Sequence, residues 1–179
     1  MYSKAALVGT TGAGGRSVFA LDVSNPTSFN ASGRLWEIDD QHPDVNVARN
    51  IGHVLGRPVI VPFRHPTSGQ VSWKAIFGNG YDSLGTDCTL IPPIVCKQNA
   101  VLYVVDLGTG DVRMIRAEES GAPAGPNGLG NIVVVDRKQN SASPLNIRDG
   151  FADTVYATDR KGAVWRFDLL DMSNATLTV

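Results

Sequence analysis

The polar stretch from Asp136 to Asp159 holds the residues best suited to chemistry. Within it, Asp149-Gly150-Phe151-Ala152-Asp153 places two carboxylates around a glycine and runs straight into the apolar strand Thr154-Val155-Tyr156. Calcium is a hard cation that takes about six to eight oxygens, usually from carboxylates and backbone carbonyls spaced along one tight loop. Asp149, the Phe151 carbonyl and Asp153 match the second half of such a loop, and Asp136 and Asn146 can fill the first half where the intervening residues loop out. The competing reading is an Asp-rich strand entry whose carboxylates cap turns. Spacing alone leaves both open.

Other chemistry is poorly provided for. Gly9-Thr10-Thr11-Gly12-Ala13-Gly14-Gly15 has the glycine density of a phosphate loop, but Arg16 to Leu21 then reads as strand. A dinucleotide site needs a helix there, so a hairpin turn is expected. His42, His53 and His65 are scattered beside Pro or Gly, without the spacing of a zinc site. No serine sits in a Gly-x-Ser-x-Gly elbow, and Glu37, Asp39, Asp40 and Asp44 read as a solvated acidic loop. With no catalytic constellation, the chain is expected not to be an enzyme. Cys88 and Cys96, eight positions apart around Pro92-Pro93, are expected to close a small disulfide loop, which favours an oxidising compartment.

The elements that would position these residues are strands. Runs at 4–9, 17–24, 34–38, 57–63, 71–77, 100–107, 112–117, 131–136, 153–158 and 163–169 are short, rich in Val, Ile, Phe, Tyr and Trp, and mostly bounded by Gly, Asn, Asp or Pro. Leu107-Gly108-Thr109-Gly110-Asp111 and Asp159-Arg160-Lys161-Gly162 have the composition of tight hairpin turns. The only helical candidate lies around 44–51 and lacks a clear apolar stripe. Trp36, Trp73 and Trp165 fall within strands and are expected in the core.

One phrase recurs three times, a strand, a Gly/Asp-rich turn and a second strand ending in Asp22, Asp106 or Asp168. A unit that cannot bury its apolar face alone must stack on copies of itself. The expected fold is therefore all-β, a β-propeller of quinoprotein-like blades, with about two and a half blades present. Residues 1–179 are expected to form a single segment of that propeller with no second domain, seated against the rest of its own ring.

Net charge is −1 and only 18% of residues are charged, against roughly 25% in an average domain. That excludes a nucleic-acid footprint. No apolar run approaches the roughly 20 residues of a membrane span. Met1-Tyr2-Ser3-Lys4 leads directly into a strand without the apolar core of a signal peptide, which alone reads as cytosolic, although a segment cut from an exported protein would read the same.

The run from Gly14-Gly15-Arg16-Ser17-Val18-Phe19-Ala20-Leu21-Asp22 to Asn25-Pro26 resembles a signature of the PilY/PilC-type type IV pilus proteins. So do Leu35-Trp36-Glu37, Leu55-Gly56-Arg57-Pro58, Ala75-Ile76-Phe77-Gly78-Asn79-Gly80-Tyr81 and Leu102-Tyr103-Val104-Val105-Asp106. Val155-Tyr156-Ala157-Thr158-Asp159 and Trp165-Arg166-Phe167-Asp168-Leu169 follow in the family's order. The resemblance implies the C-terminal propeller of an exported factor of a Gram-negative bacterium, placed at the outer membrane, cell surface or pilus tip. It implies a module that promotes pilus extension over retraction and aids adhesion, with pilin subunits, minor pilins or a host-surface ligand as partners. It also implies a calcium loop just before the Val-Tyr-Ala-x-Asp strand, where Asp149 and Asp153 fall. The chain departs from the family's pattern between Asp136 and Asp149, which lie 13 apart where the family's first and third ligands are four apart. Two alternatives stand beside this reading: a fragment of a quinone-dependent dehydrogenase propeller, and a metal-free structural scaffold.

Overall fold

A computed structural model describes residues 4–86, 88, 96–117, 125–136, 148–169 and 175–177. Asn146 lies outside them. The strands are β1 (Ala6–Thr10), β2 (Ser17–Asp22), β3 (Arg34–Asp39), β4 (Val59–Arg64), β5 (Val71–Gly78) and β6 (Ala100–Asp106). They continue with β7 (Val112–Ala117), β8 (Leu129–Val135), β9 (Thr154–Asp159), β10 (Val164–Asp168) and β11 (Ala175–Leu177). Between β3 and β4 runs one short helix, α1 (Val45–Asn50). The strands form three meandering antiparallel sheets, β1-β2-β3, β4-β5-β6-β7 and β8-β9-β10-β11. All ten predicted strand runs are strands. β11, the addition, is three residues long and pairs with β10 from Phe167↔Ala175 to Trp165↔Leu177. So short a run carries no periodic signal of its own.

Two apolar layers separate the three sheets, and the middle sheet supplies both. Successive strand residues point to opposite faces. Ala75, Phe77, Val101, Tyr103 and Val105 accordingly pack with Val18, Ala20, Trp36 and Ile38 of the first sheet. Their neighbours Ile76, Leu102 and Val104 pack with Leu129, Val155, Ala157, Trp165 and Phe167 of the third. With both faces covered, β6 is buried from Ala100 to Val105 and reads as an unbroken apolar run. Each large apolar side chain so buried contributes about 1.5–3 kcal/mol. Phe77 and Tyr103 stack with ring centroids 5.3 Å apart, and the Tyr103 hydroxyl donates to the Val47 carbonyl at 2.8 Å. Burial pushes that phenol's pKa far upward.

Asp44 starts α1 by accepting the Asn46 N–H at 2.8 Å. Val47, Ile51 and Val54 then reach the first apolar layer. Two of the tryptophans meet expectation: Trp36 and Trp165 are buried. Trp73 does not. It remains 54% exposed, because it faces a groove beside β1 rather than the closed layer.

The start of β8, which delivers Asp136, is fixed by one residue. Asn79 is fully buried and fills all four of its side-chain hydrogen-bonding positions. Its amide donates to the carbonyls of Asn50 at 2.8 Å and Asn99 at 3.0 Å. Its oxygen accepts the N–H groups of Val101 at 3.0 Å and Leu129 at 2.9 Å. One side chain thus ties α1, β6 and β8 together. Gly80 follows at φ +73, where any Cβ would also collide with the His53 carbonyl. Only glycine suits such a position.

Candidate metal loop

β8 ends at Val135 and β9 begins at Thr154, and the connection between them carries the predicted ligands. Its two arms meet. The Asp136 carboxylate accepts the Gly150 N–H at 2.8 Å on Oδ2 and the Asp149 N–H at 3.3 Å on Oδ1. Asp149 in turn accepts the Phe151 N–H at 3.1 Å on its own Oδ1. Gly150 sits at φ +85 with open space around it, so backbone conformation selects glycine here.

Beyond the turn the chain is pinned on several sides. The guanidinium of Arg64 on β4 lies 4.2 Å from the centre of the Phe151 ring, a cation–π contact worth about 0.5–1 kcal/mol at an exposed site. Ala152 N–H donates to the Pro62 carbonyl at 3.0 Å, and Asp153 N–H to the Val135 carbonyl at 3.3 Å. The Asp153 carbonyl accepts the Leu169 N–H at 2.8 Å, and Asp153 itself is buried at the strand entry. The loop's exit is therefore held by β4, by the end of β8 and by the end of β10.

Asp136 and Asp149 are thus brought together across 13 positions, with Phe151 and Asp153 following on the exit arm. Asn146, the remaining predicted ligand, lies on residues outside the described set. The donors present are hard carboxylate oxygens of the kind calcium takes. Each ionised carboxylate offers about four lone-pair sites, so amide bonding leaves Asp136 and Asp149 capacity to ligate. Among the described residues, no three His, Cys, Asp or Glu side chains converge tightly enough to hold a metal. The described part of the loop is an anchored frame with suitable donors rather than a complete cage.

Three further polar groups carry structure, and the sequence disclosed only the turn at Asp159. Asp159 accepts Asn127 Nδ2 at 2.9 Å and Trp165 Nε1 at 3.0 Å on one oxygen, and the N–H groups of Lys161 and Ala163 on the other. Burial raises its pKa, but these donors outweigh burial and hold it below the ordinary carboxylate value. Asp106 behaves alike: burial opposes ionisation, and Lys74 at 2.8 Å with the Thr109 and Gly108 amides outweighs it. Asp82, at φ +56, accepts Arg16 Nε on its carbonyl at 2.8 Å and Arg160 Nη1 on its carboxylate at 3.2 Å. It straps the β1–β2 and β9–β10 connections to the middle sheet. Arg and Asp at such distances in sequence give no local pattern, whereas the Asp-x-x-Gly form of the Asp159 turn was a usable signal.

Cys88 and Cys96 are bonded to one another, with an S–S distance of 2.07 Å. Arg49 on α1 donates from Nη2 to both sulfurs, at 3.0 and 3.1 Å, and from Nε to the Gly85 carbonyl at 2.6 Å. Two of the three predicted loop histidines act as turn caps: His65 Nδ1 accepts the Thr67 and Ser68 N–H groups, and His42 Nδ1 accepts that of Asp44, whereas His53 forms a β-bridge with Tyr81.

Stacked antiparallel meanders of three or four strands with shared apolar layers define the class, a segment of a β-propeller. Residues 2–176 match the family described as the PilY1 beta-propeller domain, and the chain belongs to that family. It is 39% identical over 174 residues to a type IV pilus biogenesis factor PilY1 homolog of Xylella fastidiosa, covering 93% of this chain and 10% of that protein. A second Xylella fastidiosa homolog is 29% identical over 168 residues, covering 94% of this chain and 11% of its own length. The type IV pilus biogenesis factor PilY1 of Pseudomonas aeruginosa is 33% identical over 165 residues, covering 92% and 11%. The chain thus spans about a tenth of the length of these relatives. No solved structure matches it. Among the described residues, no helix is long and apolar enough to cross a membrane.

Proposed function

We propose that this propeller segment serves type IV pilus biogenesis as a non-enzymatic, calcium-tuned module. It belongs to an exported factor at the outer membrane, cell surface or pilus tip of a Gram-negative bacterium. Its partners are pilin subunits or minor pilins, with a host-surface ligand in adhesion, and its action favours pilus extension over retraction. Family membership across residues 2–176 supports the pilus assignment. The observation that carries the calcium assignment is the junction of Asp136 with Asp149 and Gly150. It brings the two arms of the loop into register despite the long insertion.

In this reading Asp136, Asn146, Asp149, the Phe151 carbonyl and Asp153 hold the ion. Calcium supplies charge neutralisation for the clustered carboxylates. The residues themselves supply the frame: Asp136 closes the loop base, and Phe151 under Arg64 clamps its exit to β4. Occupancy then stabilises one loop conformation in proportion to RT ln(1 + [Ca]/Kd), and an extracellular site of this type works at about 10⁻⁴–10⁻³ M.

Surface pili counted in cells carrying Asp149→Ala plus Asp153→Ala test the proposal. Fewer pili are expected, with numbers restored when retraction is genetically disabled. Unchanged piliation, with the variant present at the normal level, would remove calcium from the mechanism. A loss that persists without retraction would contradict the extension-over-retraction role.

A further inference from the structure

Arg49 is placed independently of the disulfide it touches. It stands in the last turn of α1, which is anchored by Val47 and Ile51 in the first apolar layer and by the Asn50 carbonyl on Asn79. Arg49 and Gly85 bond reciprocally: Arg49 Nε donates to the Gly85 carbonyl at 2.6 Å, and the Gly85 N–H to the Arg49 carbonyl at 2.8 Å. The cysteines are presented from a base that is closed without them. Just outside them Thr86 and Lys97 form a β-bridge, each N–H donating to the other's carbonyl, at 2.9 and 2.7 Å. The Asn99 amide adds a bond to Thr86 Oγ1 at 3.1 Å. Guanidinium and sulfurs are thus held by contacts that do not include the S–S bond.

Among the described residues no carboxylate pairs with Arg49, and its Nη2 is directed at the two sulfurs. A disulfide sulfur is a weak acceptor, whereas a thiolate is an anion that a neighbouring guanidinium stabilises strongly. The contact therefore favours the reduced pair over the bonded one, the opposite of what a permanent crosslink needs. Because Nη2 reaches both sulfurs, the leaving thiolate meets the same cation whichever sulfur is attacked. A stabilised thiolate leaves faster. Both cysteines are half-buried rather than buried, so each retains solvent exposure.

We propose that Cys88, Cys96 and Arg49 form a thiol–disulfide exchange site whose reaction partner is a protein dithiol. One thiolate of the partner attacks either sulfur and forms a new S–S bond. The Cys88–Cys96 bond breaks, and its electron pair leaves on the other sulfur as a thiolate beside Arg49. The partner's second thiol, having lost its proton, attacks the mixed disulfide and releases the remaining cysteine. The partner is oxidised to a disulfide by two electrons, and this chain is reduced to a dithiol. The same steps run backward reclose the pair. The Thr86–Lys97 bridge keeps the base of the loop closed throughout, so the blade stays folded. The proposal rests on neither the calcium loop nor the pilus role.

Alkylation of the reduced full-length protein by iodoacetamide across pH, read on the Cys88 and Cys96 peptides by mass spectrometry, is the test. At least one of the two is expected to reach half its maximal rate about one pH unit or more below the roughly 8.5 of an ordinary thiol. Arg49→Gln is expected to remove that shift, and Arg49→Lys, which keeps the charge, to retain most of it. In glutathione buffers at about pH 9, Arg49→Gln is expected to move the equilibrium at least about fivefold toward the disulfide. The Thr86 and Lys97 amides are expected to keep their hydrogen-exchange protection in the reduced protein. An ordinary half-rate pH at both cysteines, or a shift that Arg49→Gln leaves in place while lowering only the thermal midpoint, would make Arg49 a structural tie and overturn the proposal. Loss of protection at Thr86 and Lys97 on reduction would overturn it too, because the bond would then be a staple the blade cannot release.

Discussion

Asn79 illustrates how one residue can govern a fold. Removing its side chain by Asn79→Ala leaves the buried Val101 and Leu129 N–H groups and two carbonyls without their partners. An unsatisfied buried group costs about 1–3 kcal/mol. We expect a loss of about 3–5 kcal/mol in chemical denaturation, far more than an average surface substitution. Asp159 sets the acid limit in a similar way. Its pKa is held below the ordinary 3.8 in the folded protein, so the unfolded chain takes up the proton first as pH falls. The stabilisation it provides is whole above that ordinary value and is lost as pH drops through the lowered one. Denaturation midpoints measured from pH 6 downward should therefore fall at the acid end, and Asp159→Asn should flatten that fall while weakening the protein at neutral pH. Sequence revealed Asp159 as a turn residue and Asn79 as part of a family motif. It could not reveal that Asn79 reaches Asn50 and Leu129, because those partners are joined only by tertiary folding.

At the scale of elements, the β8–β9 connection is held by its carboxylates even before any ion is considered. Asp136→Ala removes the acceptor for the Asp149 and Gly150 amides. Exposed bonds of this kind are worth about 0.5–1.5 kcal/mol. Faster exchange of the Gly150 amide without global unfolding is the expected result in EDTA. The loop containing Cys88 and Cys96 is tied to α1 through Arg49. Closing so short a loop is worth about 2–3 kcal/mol on chain-entropy grounds, so a reductant should lower the thermal midpoint, and the paired Cys88→Ser and Cys96→Ser variant should reproduce the loss. Strand positions were legible because Val, Ile and aromatic runs between turn residues leave few other choices. The arms of the loop were legible in part: Asp149-Gly150 announced a turn, but nothing local linked it to Asp136 across the insertion.

As a whole, the molecule is three stacked sheets in which the central one is apolar on both faces. That explains why β6 gives no alternation, while the unequal connections between strands explain why the repeat was visible as a phrase rather than as a strict period. Trp73 is the informative exception. A tryptophan within a strand predicts burial, and the prediction fails where the neighbouring sheet lacks a first strand among the described residues. In the proposed function the anchored loop binds calcium and stabilises the propeller that carries it. Thermal unfolding in EDTA and in about 5 mM calcium tests it most directly. With an extracellular affinity of about 10⁻⁴–10⁻³ M, binding adds about 1–2 kcal/mol, a rise of roughly 2–8 °C for a chain of this size. That rise is expected in the unaltered protein and is expected to be absent in Asp149→Ala plus Asp153→Ala, whatever the variant's baseline. An unaltered midpoint, or a rise that survives the double substitution, would contradict it.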